Sequence, residues 1–249
     1  MIIPTYFRPF LLLRALKSIN KQIIKPDKVF IVDNHPLNKS KNVYLKAKQL
    51  FKLNISYLIV PSNKSPAASR NYASKLAKSK YIAFLDDDDF WDKNYITNVR
   101  DKFKDTKSKL NITEYNVVKI NGKKKFYFHI PEKIKFQELF RWNPGILCSN
   151  MVIEKSTFFK IKGFDEKIFG SGDKEILIKC IKKNIKYSVL KKGLVNWTSH
   201  KSQWSQNHQL ILRGVLQFYK KYYKEMNFIS KFISLKKILT LKVKASLIK

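Results

Sequence analysis

The sequence predicts an α/β fold with a mostly parallel central sheet flanked by helices, followed by a basic C-terminal helical tail. Two observations carry that expectation. Short apolar, β-branched runs alternate with helix-period segments through the first ninety residues, and from about Leu210 the helical spacing persists while lysine becomes dense. Ile2–Ile3 is the first strand. Pro9 opens a helix on which Leu12, Leu16, Ile19 and Ile23 recur at i, i+4, i+7 and i+11. Lys28–Val32 is the second strand, residues 41–52 a helix, Ile55–Val60 the third strand, Pro66–Lys78 a helix and Tyr81–Leu85 the fourth strand. Such βαβαβαβ alternation implies parallel strands joined by right-handed crossovers.

After Asp92 the topology is expected to change. EYNVVKI and KKKFYFHI flank Asn121-Gly122, a two-residue turn signal for a hairpin. A strand near Ser149–Glu154 leads to a helix from Ser156, a glycine-containing loop at Gly163-Phe164-Asp165, and a helix from about Asp173. The tail, 210–249, reads as one or two amphipathic helices, with Phe218, Tyr222, Phe228, Phe232, Ile238 and Leu241 among its apolar positions. No internal repeat or linker divides the chain.

Composition bounds the function. Hydrophobic residues at 44% and aromatics at 14% over 249 residues support a packed core and exclude general disorder. Cys148 and Cys180 are far apart and in no CxxC spacing, so neither a disulfide framework nor a zinc ribbon is proposed, and the chain reads as intracellular. No apolar run reaches the ~18 residues of a membrane span. The net charge of +33 calls for an anionic partner. Nucleic acid is disfavoured, because only six of the 51 cations are Arg, the residue that supplies bidentate and stacking contacts. An anionic membrane leaflet or phosphate-bearing substrates suit lysine better, and the tail is the candidate for holding the chain against that surface.

The chemistry-bearing residues fall at strand ends, where open α/β sheets bind their ligands. Thr5 and Tyr6 follow strand one, Asp33 follows strand two, and Asp86 to Asp89 follow strand four. With Asp92, that run holds five of the seven acids in the first hundred residues. Adjacent carboxylates repel one another unless a cation or hydrogen-bond donors compensate, and Mg²⁺ or Mn²⁺ with oxygen ligands is the natural compensator.

Several segments together resemble the family-2 inverting glycosyltransferases of the GT-A fold, over about residues 1–205: MIIPTYFRP, VFIVDNHP, SPAASRNYASKLAKSKYIAFLDDDDFW and GILCSNMVIEKSTFFKIKGFDEKIFGSGDKEILIK. The resemblance implies a GT-A-like domain over 1–209, with a nucleotide-binding half at 1–92 and an acceptor half at 93–209. It implies that Pro4, Thr5 and Tyr6 line the nucleotide, that Asp33 hydrogen-bonds its base, and that Arg70 meets base or diphosphate. Asp86 and Asp87 would contact the donor. Asp88 would ligate Mn²⁺ or Mg²⁺ bridging the phosphates, with His200 beside it. Asp173 in G-D-K-E would be the general base, with Glu175 and Trp204 toward the acceptor. The expected activity is transfer of a single hexosyl or N-acetylhexosaminyl group from a nucleoside-diphosphate sugar, a UDP-sugar, to a glycan or lipid-linked glycan. That chemistry belongs at the inner face of the cytoplasmic membrane. Departures are Gly172 in place of a first acid, D-N-H-P after strand two, and the missing Q-x-x-R-W of processive members. A nucleotidyltransferase is disfavoured by the want of a glycine-rich phosphate loop in a chain with seven Gly. A non-catalytic membrane- or nucleic-acid-binding protein on a transferase scaffold is the competing expectation.

Overall fold

A computed structural model describes residues 1–61, 65–200, 203 and 207–246. The first half follows the alternation. Strand β1 (Ile2–Thr5), helix α1 (Pro9–Asn20), β2 (Val29–Asp33), α2 (Lys41–Leu50), β3 (Ile55–Ile59), α3 (Pro66–Leu76) and β4 (Tyr81–Ala83) succeed one another. β1, β2 and β3 pair in parallel in that order, with Thr5 opposite Asp33. Proline sits at the first turn of α1 and of α3, and the Ser65 hydroxyl accepts the Ala68 N–H at 3.3 Å to cap α3. α1 buries Leu12, Ala15, Leu16 and Ile19. Ile23 departs from the expected stripe: the helix ends at Asn20, and Ile23 is 63% exposed.

The second half comprises β5 (Phe90–Trp91), α4 (Tyr95–Thr106), β6 (Leu110–Lys119), β7 (Lys124–Phe128), α5 (Glu138–Arg141), β8 (Met151–Glu154), α6 (Lys155–Lys160), α7 (Gly172–Lys182) and β9 (Tyr187–Ser199). Its sheet runs β4-β8-β6-β9-β5, with β7 also on β6. Only β6–β9 is parallel here; β4–β8, β6–β8, β6–β7 and β5–β9 are antiparallel. The expected hairpin is β6–β7, and Gly122 at φ +85° lets its tight turn close. A parallel bridge between Ile2 and Phe84 joins the two sheets, and the Leu85 N–H donates to the Ile2 carbonyl at 3.1 Å. That seam brings the carboxyl ends of β1 and β4 together, so Thr5 and the acidic run emerge side by side.

The C-terminal segment forms two helices, α8 (His208–Tyr222) and α9 (Phe228–Ser246). The first is integral to the packing. Phe218, Tyr222 and Met226 belong to the same apolar core as β1 and β2. Gly214 sits so close to the chain at Phe169 that a Cβ there would lie 1.5 Å from its carbonyl oxygen. α9 lies against α8 and α5. Among the described residues no helix is long and apolar enough to cross a membrane.

Candidate active site

Four identical acids in a row acquire four different environments because Asp86–Asp89 is a tight turn. The Asp89 N–H donates to the Asp86 carbonyl at 3.1 Å, so Asp87 and Asp88 occupy the central corners. Asp86 is the most open, with a side chain 34% exposed, and pairs with Arg70 from α3. Asp87 is fully buried: the Thr5 hydroxyl donates to it at 2.7 Å and Arg8 approaches at 2.8 Å. Burial pushes its carboxyl up, and Arg8 opposes this. Asp88 pairs with Arg8 and lies 3.1 Å from His200 Nε2. Burial works against its charge, yet the His200 hydrogen bond and Arg8 together hold it below the usual carboxylate range. Asp89 is buried, accepting the Ser149 hydroxyl at 2.6 Å and the Thr198 N–H at 2.9 Å. Burial, with the charges of Asp88 and Asp86, pushes it well up. Asp86 is thus the most open of the four, and Asp88 is held between Arg8 and His200. Asp87 and Asp89 tie the turn to β1, β9 and the Cys148–Asn150 segment.

Arg8, Arg14 and Ser149 are contributors that sequence reasoning missed. Arg8, just before α1, ion-pairs with both Asp87 and Asp88. Arg14 on α1 donates to the Asp88 carbonyl at 2.5 Å and to Thr198 Oγ1 at 2.6 Å, clamping the turn to β9. Ser149 accepts the Asp86 N–H at 3.0 Å while donating to Asp89. The available signal was scarcity: in a chain with six Arg, two lie within ten residues of the first strand end.

The remaining expected residues distribute as follows. Pro4 is buried in β1 opposite Val32, and Thr5 is 2% exposed, so both support the site from beneath. Tyr6 is 52% exposed, with its ring centroid 4.9 Å from that of His35 and Phe7 5.3 Å from the same imidazole, an open aromatic cluster above the end of β1. His35 and Phe7 were not anticipated. Asp33, wholly buried, accepts the His35 N–H at 2.9 Å, the Ser40 N–H at 3.0 Å and the Tyr57 hydroxyl at 2.5 Å, which orders the loop carrying His35. Arg70 is buried, with its guanidinium 5.6 Å from the Phe164 ring centre. Asn71 beside it bonds the backbone of Phe164 at 2.9 and 3.0 Å, which joins A-S-R-N to G-F-D.

Asp173 lies in the first turn of α7. Its carboxylate accepts the Lys174 N–H at 2.7 Å and the Asn143 amide at 3.3 Å. Its recessed position pushes its carboxyl up, against the pull of Lys174 and Arg70, while the charge of Asp86 adds to the rise. Glu175 is a correction. Two residues along a helix turn the side chain through about 200°, so Glu175 points away from Asp173 into the core. There it is fully buried and accepts the Tyr222 hydroxyl at 2.8 Å, with Lys221 and Lys179 as counter-ions. It anchors α8 and faces no acceptor. Trp204 lies outside the described residues.

Aromatic rings thus stand exposed at the end of β1, the acidic turn carries arginine and histidine, and Asp173 lies within electrostatic reach of Asp86 and Arg70. Comparison with known proteins identifies the family. The model for "Glycosyl transferase family 2" matches residues 1–161. An uncharacterized glycosyltransferase of Methanocaldococcus jannaschii, MJ1057, is 30% identical over 209 residues, covering 79% of this chain and 69% of its own. The Escherichia coli UDP-Glc:alpha-D-GlcNAc-diphosphoundecaprenol beta-1,3-glucosyltransferase WfgD is 26% identical, covering 63% of this chain and 60% of its own. Among solved structures, S. aureus TarS 1–349 in complex with UDP-GlcNAc superposes with a TM-score of 0.66 at 19% identity, covering 88% of this chain and 65% of that one. The likeness to TarS shows a shared GT-A-like fold, and the matched family, together with the archaeal relative, places this chain in glycosyl transferase family 2.

Proposed function

We propose that the protein transfers one sugar, with inversion, from a UDP-sugar to a hydroxyl of a glycan or lipid-linked glycan. The observation that carries this reading is the convergence of Asp86, Asp88, His200 and Arg70 on one acidic turn, with Asp173 within electrostatic reach of Asp86 and Arg70. The donor class is supported by the UDP-GlcNAc and UDP bound to TarS, and the lipid-linked acceptor by the diphosphoundecaprenol substrate in WfgD's name. Tyr6, Phe7 and His35 offer the base a stacking surface, and Arg70 offers a charge-assisted contact to the diphosphate.

The residues fit a hard divalent cation. Among the described residues no three metal-ligating side chains cluster, but Asp88 and His200 present an oxygen and a nitrogen 3.1 Å apart. Mg²⁺ characteristically takes one or two protein ligands plus substrate phosphates, so the donor would complete the shell. Bound there, Mn²⁺ or Mg²⁺ would supply charge neutralisation for the departing diphosphate. Arg8 neutralises the same carboxylates from the protein side. Asp173, oriented by Asn143 and the Lys174 N–H, takes the acceptor hydroxyl proton as the hydroxyl oxygen attacks the anomeric carbon.

A thermal-shift panel of UDP, GDP, CDP and dTDP, each with and without Mn²⁺, tests the reading. UDP with Mn²⁺ should give the largest rise in Tm, and Asp88→Asn should remove the metal-dependent part. A panel in which no nucleotide shifts the wild type, or UDP shifts it equally without metal, defeats the donor and metal assignment respectively.

A further inference from the structure

Helix α9 has two apolar faces, and folding uses only one. The inner face buries Ser230, Ser234, Ile238 and Leu241. Ser230 Oγ donates to the Gln137 carbonyl at 3.2 Å and accepts from Arg141 Nε at 3.1 Å, and Ser234 Oγ donates to the Phe140 carbonyl at 3.3 Å, so this face is seated on α5. The outer face carries Phe228 at 83% exposure, Phe232 at 63% and Val243 at 60%, with Leu235 and Leu239 between them. At 3.6 residues per turn these five side chains fall within an arc of about 80°. Lys231 and Lys242 border one side of the stripe, and Lys236 the other. Large apolar groups stand outward while serines face inward, an inversion that packing within the chain does not explain.

We infer that the outer face of α9 docks on an anionic lipid surface, with the apolar stripe at the acyl boundary and the bordering lysines on headgroup phosphates. Charge complementarity selects this occupant. A second copy would bring two lysine-bordered stripes together on chains of net charge +33 each, whereas an anionic bilayer neutralises the border as it buries the stripe. The helix lies on such a surface and does not span it. The inference deepens the acceptor reading and rests on it only for what the membrane delivers: α9 seats on α5, and Asn143, two residues beyond α5, reaches Asp173.

Co-sedimentation of the full chain with sucrose-loaded vesicles tests it. Vesicles of phosphatidylglycerol and phosphatidylcholine in equal parts should carry the protein down, less so as salt rises, while pure phosphatidylcholine should not. F232S/L239S should lower partitioning at least tenfold or so. K236Q/K242Q should lower it roughly 25-fold, about fivefold for each lysine near an anionic leaflet. Both variants alter exposed positions, and retained UDP binding verifies their fold. Equal sedimentation with neutral vesicles, or unchanged partitioning of F232S/L239S, overturns the inference. So does a dimer in light scattering that F232S/L239S converts to monomer, which would assign the stripe to a second copy. Should the wild type bind vesicles but no nucleotide, the transferase reading fails and the docking surface stands.

Discussion

Replacing Arg8 with alanine removes a cation that ion-pairs with both Asp87 and Asp88. Breaking one side of a buried ion pair costs about 3–5 kcal/mol, because the other charge is left unpaired in a poor solvent for it. The side chains are 29% exposed for Arg8, 1% for Asp87 and 10% for Asp88, so water reaches the guanidinium side and lowers the cost to about 2–3 kcal/mol. For a chain of this length each kcal/mol moves Tm by roughly 2–4 °C, which gives an expected loss of roughly 5–10 °C. The assay is calorimetric or fluorescence melting of wild type and Arg8→Ala, first in EDTA and then in Mn²⁺. Without Arg8 competing for the same carboxylates, the cation should bind the variant more tightly than the wild type and recover much of the loss, since a ligand at a hundredfold its Kd stabilises by about 2.7 kcal/mol. The gap between the two proteins should therefore be wide in chelator and narrow in Mn²⁺. Equal melting temperatures in EDTA would refute the counter-ion role of Arg8, and a gap untouched by Mn²⁺ would refute the shared use of Asp88.

Asp173→Asn should leave UDP affinity within about twofold and lower kcat by ~10²–10⁴, the usual contribution of a positioned base; single-turnover sugar transfer at saturating acceptor reads it. Lys174 is buried, with its ammonium over the Phe218 ring at 4.0 Å, and desolvation lowers its pKa from 10.5 to about 7. Between those values the unfolded chain binds the extra proton, so wild-type stability should rise with pH across the window; below it the folded state bears the whole penalty, at most about 5 kcal/mol. Lys174→Met should accordingly stabilise at pH 6, with the gain fading by pH 10, and urea melts at both pH values check the sign. Gly214→Ala forces a methyl into the Phe169 carbonyl and should lose Tm even though alanine is the better helix former, as circular dichroism melting would show. Sparing α8 in that variant would mean that its contact with the Phe169 loop is not a close one.

The local grammar of the first half was legible because its crossovers write their own signals: β-branched runs, a proline at the first turn of α1 and of α3, polar strand ends. The family motifs lie on the same segments. What the letters did not carry was rotation. Four consecutive Asp give no register until the turn is known, and only the turn separates Asp86 and Asp88 from Asp87 and Asp89. Glu175 drew attention because it sits beside Asp173 in the chain, yet the helix turns it into the core. Arg8 reaches its partners across 80 positions, a distance over which periodicity is silent. In α9 the letters supplied the apolar positions without their faces: Phe228 and Phe232 stand outward while Ser230 and Ser234 face inward.

The division of labour within the acidic turn bears on how an inactive control for this protein should be made. Erasing the whole run would remove the acceptor for Ser149 and Thr198, the anchor of Thr5 and the partners of Arg8, and the resulting protein would be silent because it is misassembled. A single amide at position 88 keeps the shape of that side chain, exchanges one accepting oxygen for a donating NH2, and leaves Arg8 its pair with Asp87. Genetic tests that score a quadruple alanine variant as catalytically dead would therefore be reporting on folding, while a strain carrying Asp88→Asn would report on chemistry.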